Sequence, residues 1–269
     1  MELISPPPLP TFSRSRWGIH LFLITAYILM VGYLGWERSG TKTAPLSRSA
    51  TGLLIACGLE LVIFGLIFGL ACFVSRATRY DLLLRWQGNI KPVLFGVGYS
   101  IALRIALAIA AFVIVFVLLA SHVMTGESIK TFSTNNRPNV EAVIDLKAMS
   151  NNPAYYWLTL TFVSFIVAGL REELWRSAFL AGMRKLWPQS FGSRKGQVVA
   201  VIICAVIFGL AHIVMGPVAV CAAGVIGVGL GLIMIYHGSI WPAVIAHGFF
   251  DATSFALIPW LKDHMHQFQ

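Results

Sequence analysis

Six ionisable side chains, Glu172, Glu173, Arg176, His212, His247 and Asp251, stand in stretches that are otherwise apolar. On insertion scales a charge at bilayer depth costs about 2.5–3.5 kcal/mol, so an ionisable group there is a candidate for function by default. Their spacing adds to this. Glu172 and Arg176, Phe208 and His212, and His247 and Asp251 are each four residues apart, so each pair lies on one face of its own helix. Three helices that turn these faces together gather three carboxylates, two imidazoles and a guanidinium. Such a set suits hydrolysis: a desolvated carboxylate beside a like charge takes a proton from water, and imidazoles orient that water or donate to a developing oxyanion. Histidine and carboxylates are also the ligands of catalytic zinc sites, so a divalent metal such as zinc is an alternative source of the nucleophile. A purely structural account, an intrahelical Glu172–Arg176 ion pair and hydrogen-bonded core histidines, explains any one residue better than it explains the whole set.

The elements that must carry these residues are membrane helices. The chain has 269 residues, 57% of them hydrophobic and only 12% charged. Its mean hydropathy is +0.77. An ordinary soluble domain carries about twice that share of charge, so a soluble globular protein is excluded. The expected fold is an all-α polytopic transmembrane bundle of about seven spans. Residues 1–16, rich in proline, read as a disordered N-terminal arm. Residues 17–120 hold three apolar runs, Trp17 to Trp36, Thr51 to Ser75 and Pro92 to Ala120, interrupted only by Glu60 and Arg104. Those two charges are expected to pair with each other.

Residues 121–153 are the longest polar stretch and read as an extramembrane loop. Residues 154–260 form the helical core that holds the motifs, and 261–269 a tail. Between Gln197 and Phe250 lie 54 residues without Asp, Glu, Lys or Arg, with breaks expected at Gly216-Pro217 and at His237-Gly238-Ser239. Gly65-x-x-x-Gly69 and Gly227-x-x-x-Gly231 are expected to let helix backbones approach closely. The four cysteines all lie in apolar runs without ligand spacing and read as core residues.

Lys and Arg divide ten to seven between the two sets of connections, which places the N-terminus in the cytoplasm of a multi-pass protein of the cell membrane. The net charge of +9 fits an anionic bilayer surface. No basic block with interleaved aromatics suggests nucleic acid.

Glu172-Glu173 followed by Arg176, then Phe208-x-x-x-His212, then His247-x-x-x-Asp251, resemble the three motifs of the CPBP family, the CAAX-type prenyl-protein endopeptidases and bacteriocin-processing or immunity proteins. The family pattern is Glu-Glu-x-x-x-Arg, Phe-x-x-x-His and His-x-x-x-Asn/Asp, and the resemblance covers roughly residues 150–260. It implies an intramembrane endopeptidase in which Glu172 activates water, Glu173 supports it and His212 helps to hold the water. His247 and Asp251 would face the oxyanion or bind a metal, Phe208 would line the site and Arg176 would anchor the glutamates. Two positions depart from the pattern. The arginine comes one residue early, about 100° around the helix. The last motif ends in Asp, which when ionised donates no hydrogen bond, so Asp251 is either protonated, or orients His247, or is a metal ligand.

The partners implied are the lipid bilayer and a peptide or protein substrate at the membrane. The family name implies a prenylated tail, while the short loops fit a bacterial peptide precursor. The rival readings are a non-proteolytic membrane regulator or bacteriocin-immunity protein on the same fold, and a small-molecule or ion transporter with Glu60, Arg104 and the glutamate pair lining its path. No internal repeat supports the transporter.

Overall fold

The structure, a computed structural model, describes residues 13–39, 45, 47–86 and 88–265, with side-chain detail ending at residue 257. Most of the expected N-terminal arm and the last four residues of the tail lie outside the described residues. Every described element is helical, as the composition requires. The long helices are α1 (Arg14–Ser39), α2 (Ala50–Ser75) and α3 (Lys91–Ala120). The 121–153 connection carries two short helices, α4 (Gly126–Asn135) and α5 (Leu146–Asn151). One continuous helical rod follows, built from α6 (Pro153–Leu158), a π-helical segment Thr159–Leu170, and α7 (Arg171–Leu186). After the short α8 (Pro188–Phe191) come α9 (Arg194–Leu210), α10 (Pro217–His237) and α11 (Trp241–Met265). Helix α11 runs past residue 260, where the sequence reading began a tail.

Helix ends follow local chemistry. Ser49, Thr125, Asp145, Asn152 and Ser193 each accept a backbone N–H with the side chain and so start α2, α4, α5, α6 and α9. The two expected breaks are present. Gly216 at φ +95° precedes Pro217, the first residue of α10, and Gly238 at φ 58° ends that helix in the left-handed region.

Five of the described helical segments are long and apolar enough to cross a membrane, Arg14–Arg38, Ala50–Ser75, Lys91–Ala120, Pro153–Leu186 and Pro217–His237. The protein is therefore an all-helical, multi-pass membrane protein. Wide apolar faces such as Leu66, Phe73 and Phe112 are turned outward, as lipid-facing helices require.

Glycine decides which helices touch. A Cβ at Gly209 would lie 2.7 Å from the Val220 carbonyl oxygen, and one at Gly231 would lie 2.6 Å from a methyl of Val201, so α9 and α10 meet backbone to backbone. The expectation for Gly227 and Gly231 holds. That for Gly65 and Gly69 does not, because a Cβ at either meets nothing within 4 Å; the spacing alone does not choose which face receives a partner. Gly209→Ala is accordingly expected to destabilise by about 1–3 kcal/mol, whereas Gly65→Ala leaves stability unchanged or raises it by up to about 1 kcal/mol. Thermal unfolding of both variants in detergent checks the contrast.

The connection between α2 and α3 folds back against the bundle and fixes the position of α11. Ser177 of α7 donates to the Leu82 carbonyl, and Arg184 donates to the Asp81 carbonyl at 2.7 Å. The backbone N–H of Ile240 donates to the Leu83 carbonyl at 3.0 Å, and the Ser239 hydroxyl to the Arg85 carbonyl at 2.7 Å. Within this loop Asp81 receives the Thr78 N–H and hydroxyl and lies 2.7 Å from the Lys185 ammonium. Partial burial opposes ionisation of Asp81, yet these donors outweigh it and hold the carboxyl below its usual range. A depressed native pKa stabilises the fold above the unfolded value, near pH 4, and that gain is lost as pH falls through the lower native value. The Tm difference between wild type and Asp81→Asn is thus expected at pH 7 and to close as pH falls below about 4.

Candidate active site

Glu172 and Glu173 lie in the first turn of α7, immediately after the π-helical segment. That segment packs tightly on α11. A Cβ at Gly169 would lie 2.9 Å from the Val244 carbonyl oxygen, and one at Gly248 would collide with the Phe165 ring. Small residues on both sides let the two backbones close, which brings the glutamate pair onto the face of α11 that carries His247. Within the π-segment Ser164 donates its hydroxyl to the carbonyl of Thr159, five residues back, at 2.9 Å.

Glu173 is fully buried and makes two ionic contacts, with the Arg176 guanidinium and with His247 Nδ1 at 3.0 Å. The carboxylate accepts from Nδ1–H, so Nε2 is the ring atom of His247 that faces the remaining carboxylates. It lies 3.7 Å from Glu172 Oε2 and 3.7 Å from Asp251 Oδ2, beyond direct hydrogen-bond range. Glu172 Oε1 is held by Arg171 at 2.8 Å, whereas Oε2 is buried without a protein partner. Arg171 in turn pairs with Glu60 of α2.

His212 stands two residues beyond the end of α9, at the entry to a 3-10 turn, Ile213–Met215, and its ring turns back over Phe208. Ring centroids are 4.6 Å apart, and His212 Nδ1 donates to the Phe208 carbonyl at 2.8 Å. A carbonyl only accepts, so the neutral ring carries its proton on Nδ1 and presents a lone pair at Nε2. Glu172 and His247 are both within electrostatic reach of this ring. Phe208 is almost wholly buried at the centre of the group, with the Arg176 guanidinium 4.7 Å above its ring and the His247 ring 6.3 Å away. The side chain of Asp251 is 25% exposed, against 14% for Glu172 and none for Glu173, so Asp251 is the most accessible of the three carboxylates.

All seven residues singled out by spacing are thus brought together, with three revisions to their pairing. Arg176 contacts Glu173 and not Glu172. The i,i+3 partner is selected because Arg176 and Glu173 both face the buried side of α7, while Glu172 is rotated about 100° from Glu173 and pairs with Arg171. Asp251 makes no hydrogen bond to His247, whose ring is oriented by Glu173 instead. Glu60 and Arg104 do not pair. Arg104 reaches α11, donating to the carbonyls of Phe249 and Phe250 at 3.4 and 2.5 Å, and Glu60 takes Arg171.

Arg171, paired with both Glu172 and Glu60, is the charged neighbour that spacing did not single out. The argument from buried charge applies to it as fully as to Glu172, and its adjacency to the glutamates was the available signal. As for a metal, no three His, Cys, Asp or Glu side chains among the described residues are arranged to hold one.

Comparison with known proteins finds a match over the same part of the chain. Residues 153–253 match the family model described as type II CAAX prenyl endopeptidase Rce1-like. No curated protein and no solved structure matches the chain. The matched segment runs from α6 into α11 and contains every residue of the three motifs, which points at family level to a CAAX-type protease. Over residues 153–253, then, this multi-pass membrane protein is similar to the type II CAAX prenyl endopeptidases, and the resemblance carried by its three motifs is upheld.

Proposed function

We propose that the protein is an intramembrane endopeptidase that hydrolyses a peptide bond of a membrane-associated substrate with water activated by Glu172. The observation that carries this reading is the asymmetry of the Glu172 carboxylate. One oxygen is tied to Arg171, while the other is buried, unpartnered and 3.7 Å from His247 Nε2. A water seated off the line between these atoms satisfies both, and the lone pair of His212 Nε2 takes its second hydrogen. Glu172 Oε2 accepts the proton as the water oxygen attacks the carbonyl carbon, then returns it to the departing amine nitrogen. His247, protonated at Nε2 and backed by the Glu173 carboxylate at Nδ1, donates to the oxyanion. Asp251, near the same Nε2, supports the imidazolium by its charge. Full burial of Glu173 and near-full burial of His247 strengthen the contact between them.

The motif-bearing helices α9 and α11 complete seven membrane crossings in this reading, with the N-terminus in the cytoplasm of a cell-membrane protein. The substrate is a peptide or protein whose scissile bond reaches the site from the side of Asp251. Purified wild type and Glu172→Ala, reconstituted in liposomes, are to be compared on prenylated and unmodified membrane peptides, with and without a chelator. Cleavage by wild type alone, surviving chelation, is the expected result. Equal processing by the two proteins sinks the protease reading.

A further inference from the structure

Three charged side chains from two parts of the chain form a line beside the site. Glu60, on α2, lies outside the segment that matches the family, and its side chain is one-third exposed. Arg171 is 11% exposed and reaches both ways, Nη1 to Glu60 Oε1 and Nη2 to Glu172 Oε1. Tyr27 of α1 closes the group within electrostatic reach of the guanidinium. A guanidinium facing a lone carboxylate prefers the two-pronged pairing in which two nitrogens meet both oxygens. Here that pairing is not formed. The nitrogen that would complete it is engaged by Glu60, and Glu172 Oε2 stays free.

We infer that Glu60 and Arg171 are positioning residues, Arg171 fixing the Glu172 carboxylate by one oxygen and Glu60 keeping the second prong of the guanidinium off the other. The inference rests on Glu172 being the proton acceptor, and it assigns to the N-terminal helices a part in the chemistry of the matched core. Freed from Glu60, Arg171 closes on Glu172 with both prongs and occupies the oxygen that must take the proton. Glu60 acts in this inference through Arg171 alone, so substrate binding should be unaffected.

Glu60→Gln should lower kcat about 10-fold with KM unchanged, the scale of one charge-assisted hydrogen bond wrongly placed. In an Arg171→Lys background, where the planar two-pronged fork of the guanidinium is gone, the same substitution should change kcat less than about 2-fold. Equal effects in both backgrounds, or a rise in KM matching the fall in kcat, overturn the inference. A structure of the Glu60→Gln protein tests the same point without activity. Arg171 within about 3 Å of both oxygens of Glu172 supports it, and a one-pronged contact as in the wild type overturns it even if no substrate is cleaved. Loss of cleavage by wild type itself would count against the protease reading, leaving this geometric result to stand or fall separately.

Discussion

With Glu172 as the proposed general base, Glu172→Gln is expected to lower kcat for peptide cleavage by about 10²–10⁴-fold, while Tm stays close to that of wild type. The amide keeps the size of the side chain and a carbonyl oxygen for Arg171, which now contacts Oε1 at 2.8 Å. It takes away the proton acceptor at the buried, unpartnered position. Because the lost interaction belongs to the reacting state, kcat and kcat/KM should fall together. Steady-state cleavage in liposomes beside thermal unfolding in detergent separates this from misfolding. Glu173→Gln behaves differently in the same assay. Glu173 is fully buried between Arg176 and His247, so its replacement disturbs the imidazole and the fold at once.

Arg176→Met is expected to cost about 3–5 kcal/mol of stability, the penalty for leaving one member of a buried ion pair without its partner. Both side chains are fully buried, and Arg176 also covers the face of Phe208. Methionine fills most of the volume without neutralising Glu173, which then depends on His247 alone. The double variant Arg176→Met, Glu173→Gln removes the stranded charge and should regain a large part of the loss, a coupling that a double-mutant cycle in detergent measures directly. A single-variant loss below about 1 kcal/mol would show that the pair is not desolvated as the structure has it.

Much of the site was legible because a membrane makes charge rare. In a chain with 12% charged residues, Glu172, Glu173, His212, His247 and Asp251 stood out by type, and four-residue spacing placed them in pairs on helix faces. The breaks at Gly216-Pro217 and Gly238 were equally readable, since both rest on backbone rules that act within a few residues. Pairings across helices were not readable. Glu60 and Arg104 were the two charges of neighbouring spans and looked like partners. Instead α3 packs along α11 and α2 beside α7, so each charge found a group far away in sequence. Gly65-x-x-x-Gly69 repeats the spacing of Gly227-x-x-x-Gly231, yet only the second faces another helix.

By itself, then, the sequence determined an all-helical membrane protein and the three motifs, all of which lie within residues 153–253, the segment that matches the Rce1-like family model. Those follow from hydropathy and from periodicity, which are properties of single helices. Only the tertiary structure decided which oxygen of Glu172 is free, that Glu173 and not Asp251 orients His247, and that Arg171 joins α2 to the site. Each depends on how one helix is rotated against another. That rotation is set by contacts such as Gly169 on Val244 and Gly248 on Phe165, which bring residues about 80 apart in sequence within reach.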